Sequence, residues 1–127
     1  MIDHDKLESL PAMLFGRIAH GGDRPFMWAK RDGAWQATTW REAGRQVRAL
    51  ARALRDLGIR PGDRVALVSE NRPEWLVADY AIMAAGAITV PAYATNTVEE
   101  NRHVMSNAGV SGVIASTRAL APAAMIA

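Results

Sequence analysis

Residues 62–91 read Gly-Asp-Arg-Val-Ala-Leu-Val-Ser-Glu-Asn-Arg-Pro-Glu-Trp-Leu-Val-Ala-Asp-Tyr-Ala-Ile-Met-Ala-Ala-Gly-Ala-Ile-Thr-Val-Pro. This stretch sets the fold class. After the Pro61-Gly62-Asp63 turn, Val65 to Val68 is an apolar run bounded by Ser69. Asn71 and Glu74 then frame a helix start, with Pro73 in the first turn, where its missing N–H costs nothing. The helix is expected to reach about Ala85, and Ala87 to Val90 forms a second short strand stopped by Pro91. Downstream, Thr97-Val98-Glu99-Glu100 is a capping box opening a helix to about Ala108. Gly112 to Ala115 is a third strand, and Thr117 caps a further helix. Strands that are apolar throughout, separated by helices, indicate parallel strands covered on both faces. Right-handed crossovers then place the helices.

Upstream the pattern changes. Ser9 to His20 is helical, with Leu10, Met13, Leu14, Phe15 and Ile18 as its apolar stripe before Gly21-Gly22. Asp32-Gly33 joins Pro25–Arg31 to Ala34–Thr38, a hairpin signal because a type I′ turn needs two residues that tolerate positive φ. Thr39-Trp40-Arg41-Glu42 is a second capping box. Its helix repeats apolar residues at Ala43, Val47, Leu50, Leu54 and Leu57 and stops at Gly58. Arg45, Arg48, Arg52 and Arg55 lie mainly off that stripe and read as a solvated face. The expected architecture is α/β, a three-layer, mostly parallel sheet flanked by helices, with an N-terminal β-hairpin.

Composition removes several function classes. The 127 residues fit one core, half of them are hydrophobic, and 15 basic against 13 acidic residues leave a net charge of +2. No basic run is long enough to track a phosphate backbone, so nucleic acid is not an expected partner. The absence of cysteine removes disulfides, thiolate nucleophiles, zinc fingers and iron–sulfur clusters. Asp3, Asp5 and Glu8 stand where a signal peptide would be basic and then apolar. Tyr80 to Val98 carries no charge, but Gly86, Pro91 and the polar residues after it argue against a transmembrane helix.

Catalytic motifs are missing as well. Neither Lys6 nor Lys30 sits in a Gly-Lys-Ser/Thr phosphate loop, and no Gly-x-Gly-x-x-Gly follows a strand. His4, His20 and His103 have no metal-ligand spacing, and Ser111 lacks the glycine that would complete a nucleophile elbow. No catalytic residue and no metal ligand is assigned. Trp28, Trp35, Trp40 and Trp75 read as core or interface anchors.

Four segments in order nevertheless resemble the AMP-forming adenylating enzymes, the superfamily of acyl-CoA synthetases, luciferases and adenylation domains. They are Thr38-Thr39-Trp40-Arg41-Glu42-Ala43, Gly62-Asp63-Arg64-Val65-Ala66, Asn71-Arg72-Pro73-Glu74-Trp75 and Met83-Ala84-Ala85-Gly86-Ala87-Ile88-Thr89-Val90-Pro91. The third, with Tyr93 and Thr95 after Val90-Pro91, leans toward the fatty acyl-CoA synthetase branch. The resemblance covers about Leu10 to Ser116.

It implies that residues 1–127 are an incomplete, N-terminal portion of an AMP-binding domain in a longer, cytoplasmic or peripherally membrane-bound ligase. That ligase would use ATP, Mg²⁺ and CoA to activate a fatty acid through an acyl-adenylate. The family's Pro-Lys-Gly phosphate loop lies beyond the point where this sequence stops, so the chain alone is expected to be inactive and to bind none of these tightly. Two positions carry cofactor-binding expectations. Relatives place basic residues just past the third strand, on CoA phosphate, and Arg118 stands there. Tyr93 leaves the carboxyl end of a parallel strand, where open α/β sheets bind ligands. The alternative is that Arg118 is a solvated cap and Tyr93 packs a loop. A stand-alone α/β binding or interaction module remains the alternative function. A sheet exposed on one side should also self-associate, so a homo-oligomer is expected.

Overall fold

A computed structural model describes residues 4–120, and three of its helices, starting at Leu10, Trp40 and Val98, begin where a Ser or Thr side chain accepts from a free N–H group. After a single 3-10 turn at His4–Lys6, α1 spans Leu10–Gly21, with Ser9 Oγ accepting from the Ala12 N–H at 3.2 Å. Strands β1 (Pro25–Arg31) and β2 (Ala34–Thr39) form the expected antiparallel hairpin. Next come α2 (Trp40–Asp56), β3 (Arg64–Val68), α3 (Pro73–Ala84), β4 (Ile88–Ala92), α4 (Val98–Ala108) and β5 (Gly112–Ala115).

Three local expectations change, and a fourth falls largely outside the described residues. Thr39 does cap α2 by accepting from the Glu42 N–H, but the Glu42 carboxylate turns to Arg45 and Gln46 instead of closing a box. The full reciprocal box forms only at α4 among the described residues, where Glu100 accepts from the Thr97 N–H at 2.7 Å. Helix α3 is capped by Arg72 with no side-chain bond, so Asn71 is not its cap. Strand β4 runs through Pro91 to Ala92. Among the described residues it pairs only with β3, and a proline on such an edge strand can turn its missing donor outward. The helix expected after Thr117 lies largely outside the described residues; within them, Thr117 accepts from the Leu120 N–H in a turn.

The parallel sheet has the order β4-β3-β5. From β3 the chain steps to one side through α3 and then back across β3 through α4. Opposite steps with right-handed crossovers put the two helices on opposite faces. Side-chain alternation along β3 follows this division. Val65 and Leu67 join Leu14, Ile18, Val47, Leu54 and Ile82 of α1, α2 and α3. Ala66 and Val68 face Met105 of α4. Central strand β3 is fully buried beyond Arg64 because both its neighbours and both its faces are covered. Each buried Leu or Ile in such a place contributes about 1.5–3 kcal/mol relative to exposure. Asn101, the one buried polar residue of the described chain, is satisfied by Asn96, whose Nδ2 donates to its Oδ1 at 3.1 Å.

The tryptophans divide. Trp40 and Trp75 pack against the main core, and the Trp40 ring stacks on Phe26 with centroids 3.8 Å apart. Trp28 and Trp35 stand exposed on the hairpin. On the arginine face of α2, Arg48 covers the Phe15 ring at 4.6 Å, a cation–π contact that leaves it at the surface.

Candidate functional site

Because the chain leaves β3 for one side and returns to the other, the connections diverge between β3 and β5. In an open parallel sheet such a divergence leaves a crevice outside the carboxyl ends of the two strands. The two loops bordering it are Ser69-Glu70-Asn71-Arg72, after β3, and Ser116-Thr117-Arg118, after β5. Beside it lies a cleft of about 520 Å³. Its walls are apolar, with Leu50 from α2, Leu67 from β3, Trp75 and Ala78 from α3 and Ile114 from β5, while Ser69, Arg72, Glu74 and Ser116 form a polar rim.

The loops are tied together across the crevice. The Ser116 hydroxyl donates to Glu70 Oε2 at 2.6 Å, and the Ser116 N–H donates to the Val68 carbonyl at 3.1 Å. Arg72 donates to Glu70 at 3.1 Å and to Glu74 at 2.9 Å. Arg31, from the hairpin, also donates to Glu74. Two arginines and two carboxylates thus form a neutral network from three separate parts of the fold.

The titration of these groups follows from their partners. The Ser116 hydroxyl, and then Arg72, hold the Glu70 carboxyl below its ordinary value. Glu74 is lowered to about 2, first by the hydrogen bond from Arg72 and further by that from Arg31. The Arg72 guanidinium is held above its ordinary value, chiefly by Glu74. Both carboxylates are therefore ionised at neutral pH. A general acid or base needs a pKa near the working pH, so neither is suited to proton transfer. The rim can orient a bound group, but it holds no pair built for acid–base chemistry.

Tyr93 and Arg118 lie at the same end of the sheet but not together. Tyr93 follows β4, its side chain 78% exposed, and its carbonyl accepts from the Asn96 N–H in a turn. It does not pack the loop. Arg118 follows β5, exposed and in no ion pair among the described residues. With β3 between their strands, the two are separated by roughly two strand spacings, about 10 Å, across the sheet. Arg118 stands two residues past Ser116, which lines the cleft, and neither Arg118 nor Tyr93 lines it. The sequence reading did not single out Glu70, Arg72, Glu74 or Ser116 for a site. The signal available was the dense polar run Ser69 to Glu74 directly after the most apolar strand.

The donor set also limits what the described residues can hold. No group of three acidic or histidine side chains converges to bind a metal ion among them. The crevice cations Arg31 and Arg72 are already neutralised, and Glu70 and Glu74 would repel a polyphosphate. No helix among the described residues is long and apolar enough to cross a membrane.

Comparison with known proteins gives a consistent picture. The model of the AMP-binding enzyme family matches residues 15–126. The long-chain-fatty-acid–CoA ligase FadD15 of Mycobacterium tuberculosis is 37% identical over 115 residues, which cover 91% of this chain and 19% of that protein. The feruloyl-CoA synthase of an Amycolatopsis species is 40% identical over 90 residues, 71% of this chain and 18% of its own length. Among solved structures, the N-terminal subdomain of NpsA from Klebsiella oxytoca superposes with a TM-score of 0.79 at 27% identity, covering 88% of this chain and 28% of that one. The chain thus spans under a fifth of the length of the two curated relatives.

Proposed function

Because the chain belongs to the AMP-binding enzyme family, we propose that it is an N-terminal portion of the AMP-binding domain of an ATP-dependent fatty acyl-CoA synthetase. The parent reaction would join a fatty acid to AMP with release of pyrophosphate, then transfer the acyl group to the CoA thiol. The observation that carries this reading is the 37% identity to a long-chain-fatty-acid–CoA ligase over 91% of the chain. Feruloyl-CoA synthase, similar over a shorter stretch, shares the carboxylate-to-thioester chemistry implied by its name.

In this reading ATP and Mg²⁺ are held elsewhere in the parent protein, since the donor set described above does not fit them. CoA fits better. Arg118 would offer its free charge to a CoA phosphate beside the crevice, and Tyr93 would border the ligand side of the sheet. The segment's own contribution is structural: its buried central strand and the Glu70–Ser116 tie fix the loops that face the rest of the domain. The parent would work in the cytoplasm or at the membrane periphery. Alone, the chain would self-associate through the open edges of β4 and β5, near exposed Ile88 and Val98.

The test is adenylation by the isolated chain. With ATP, Mg²⁺ and palmitate it should form no acyl-adenylate and support no pyrophosphate exchange. Turnover by the purified chain would overturn the segment reading and favour a self-sufficient module.

A further inference from the structure

Asn101 lies one turn into α4 and is 1% exposed. It shares the buried face of that helix with Met105, four residues on, which packs against Ala66 and Val68 of β3. An apolar side chain would suit that position better on two counts. Leucine is the stronger helix former, and burying an amide costs free energy unless a partner satisfies it. The partner is Asn96, whose Nδ2 donates to Asn101 Oδ1 at 3.1 Å.

That bond reaches out of the helix into the loop before it. The parallel ladder of β4 ends at Ala92, opposite Val68, so Tyr93 is the first residue beyond the ladder. At the other end, Thr97 and Glu100 close the capping box of α4. Between these fixed ends the Asn96 N–H donates to the Tyr93 carbonyl at 3.2 Å and closes a turn. Asn96 therefore holds Tyr93 with its backbone and Asn101 with its side chain. A buried amide in α4 sets the shape of the turn that carries Tyr93 away from the carboxyl end of β4.

We propose that Asn101 is a positioning residue for CoA recognition, acting through Asn96 on the turn that presents Tyr93. The proposal rests on the reading of Tyr93 as a cofactor-side residue. Asn101 itself touches no ligand. Without its Oδ1 the Asn96 side chain loses its anchor and the turn gains freedom, so the cost of ordering Tyr93 falls on the binding step. The loss is therefore expected in KM for CoA, with kcat at saturating CoA little changed.

The test uses a chimera in which this chain replaces the corresponding segment of the Mycobacterium tuberculosis long-chain-fatty-acid–CoA ligase, with palmitoyl-CoA formation as the readout. Asn101→Leu and Asn96→Ala should each raise KM for CoA by about two- to tenfold, the scale of one hydrogen bond. Asn96→Ala alters a half-buried loop residue, so it keeps the test open if Asn101→Leu fails to fold. Because both act through one bond, the double variant should be no worse than either single one. In a Tyr93→Ala background, itself raised in KM, Asn101→Leu should add nothing, whereas a general loosening of the fold would add its full effect there. An unchanged KM in the folded single variants, additive losses in the double variant, or a further loss in the Tyr93→Ala background would overturn the proposal. If Tyr93→Ala leaves KM for CoA unchanged while Arg118→Ala raises it, CoA binds without this turn and the proposal is overturned while the enzymatic reading stands. A folded chimera that makes no thioester overturns the enzymatic reading, and the proposal with it.

Discussion

Gly21 closes α1 where the Trp40 ring arrives. A Cβ built on Gly21 would lie 2.4 Å from Trp40 Cγ and 2.5 Å from Cδ1, well inside contact distance. The ring cannot simply retreat, since its other side stacks on Phe26 with centroids 3.8 Å apart. By helix propensity alone, replacing a glycine within a helix by alanine gains about 0.5–1 kcal/mol. Overpacking a well-filled contact costs about 1–3 kcal/mol, and a disrupted aromatic stack about 0.5–1.5 kcal/mol more. The contact wins, and Gly21→Ala is expected to destabilise the chain by about 1–3 kcal/mol. Gly16 is the control. It lies in the same helix, and a Cβ there meets nothing within 4 Å. Gly16→Ala should therefore stabilise by up to about 1 kcal/mol. Urea unfolding followed by far-ultraviolet circular dichroism measures both. If Gly21→Ala proved as stable as the parent, or both variants shifted in the same direction, the packing of Trp40 over α1 would be wrong.

Three further outcomes follow from the core and the crevice. Leu67→Ala, in the middle of the buried central strand, should cost about 2–5 kcal/mol in the same unfolding assay. Glu74 titrates at about 2 when folded against an ordinary 4.5, so its contribution to stability is present above pH 4.5 and lost as pH falls toward 2. Glu74→Gln should flatten the acid limb of the stability curve in that window. In Ser116→Ala, Glu70 loses the main cause of its lowered pKa, and its carboxyl should titrate higher by NMR; an unchanged titration would show that the two loops are not tied.

The signals that placed the helices and strands are local, which is why they could be read along the chain. Ser9, Thr39 and Thr97 each bond an N–H three residues on, and Asp32-Gly33 adopts the turn its residues favour. The strand order was not legible, because β4-β3-β5 depends on which way each crossover steps. The crevice was lost for the same reason: Glu70 and Ser116 lie 46 residues apart and meet only once β5 returns beside β3. Residue type also could not divide the tryptophans, since Trp35 and Trp40 stand five residues apart but on opposite sides of the transition from hairpin to helix. Pro91 misled because its breaking effect holds for a central strand, and β4 is an edge. The resemblance pointed to Arg118, just past the third strand, but carried no information on the Glu70–Arg72–Glu74 network.

The most direct measurement of the central claim exchanges this chain for the corresponding N-terminal segment of the Mycobacterium tuberculosis long-chain-fatty-acid–CoA ligase. The chimera is assayed for palmitoyl-CoA formation with ATP, Mg²⁺ and CoA. The account predicts a folded chimera that makes the thioester, with Arg118→Ala raising its KM for CoA. A chimera that folds with a cooperative melt but makes no acyl-adenylate and no thioester would contradict it.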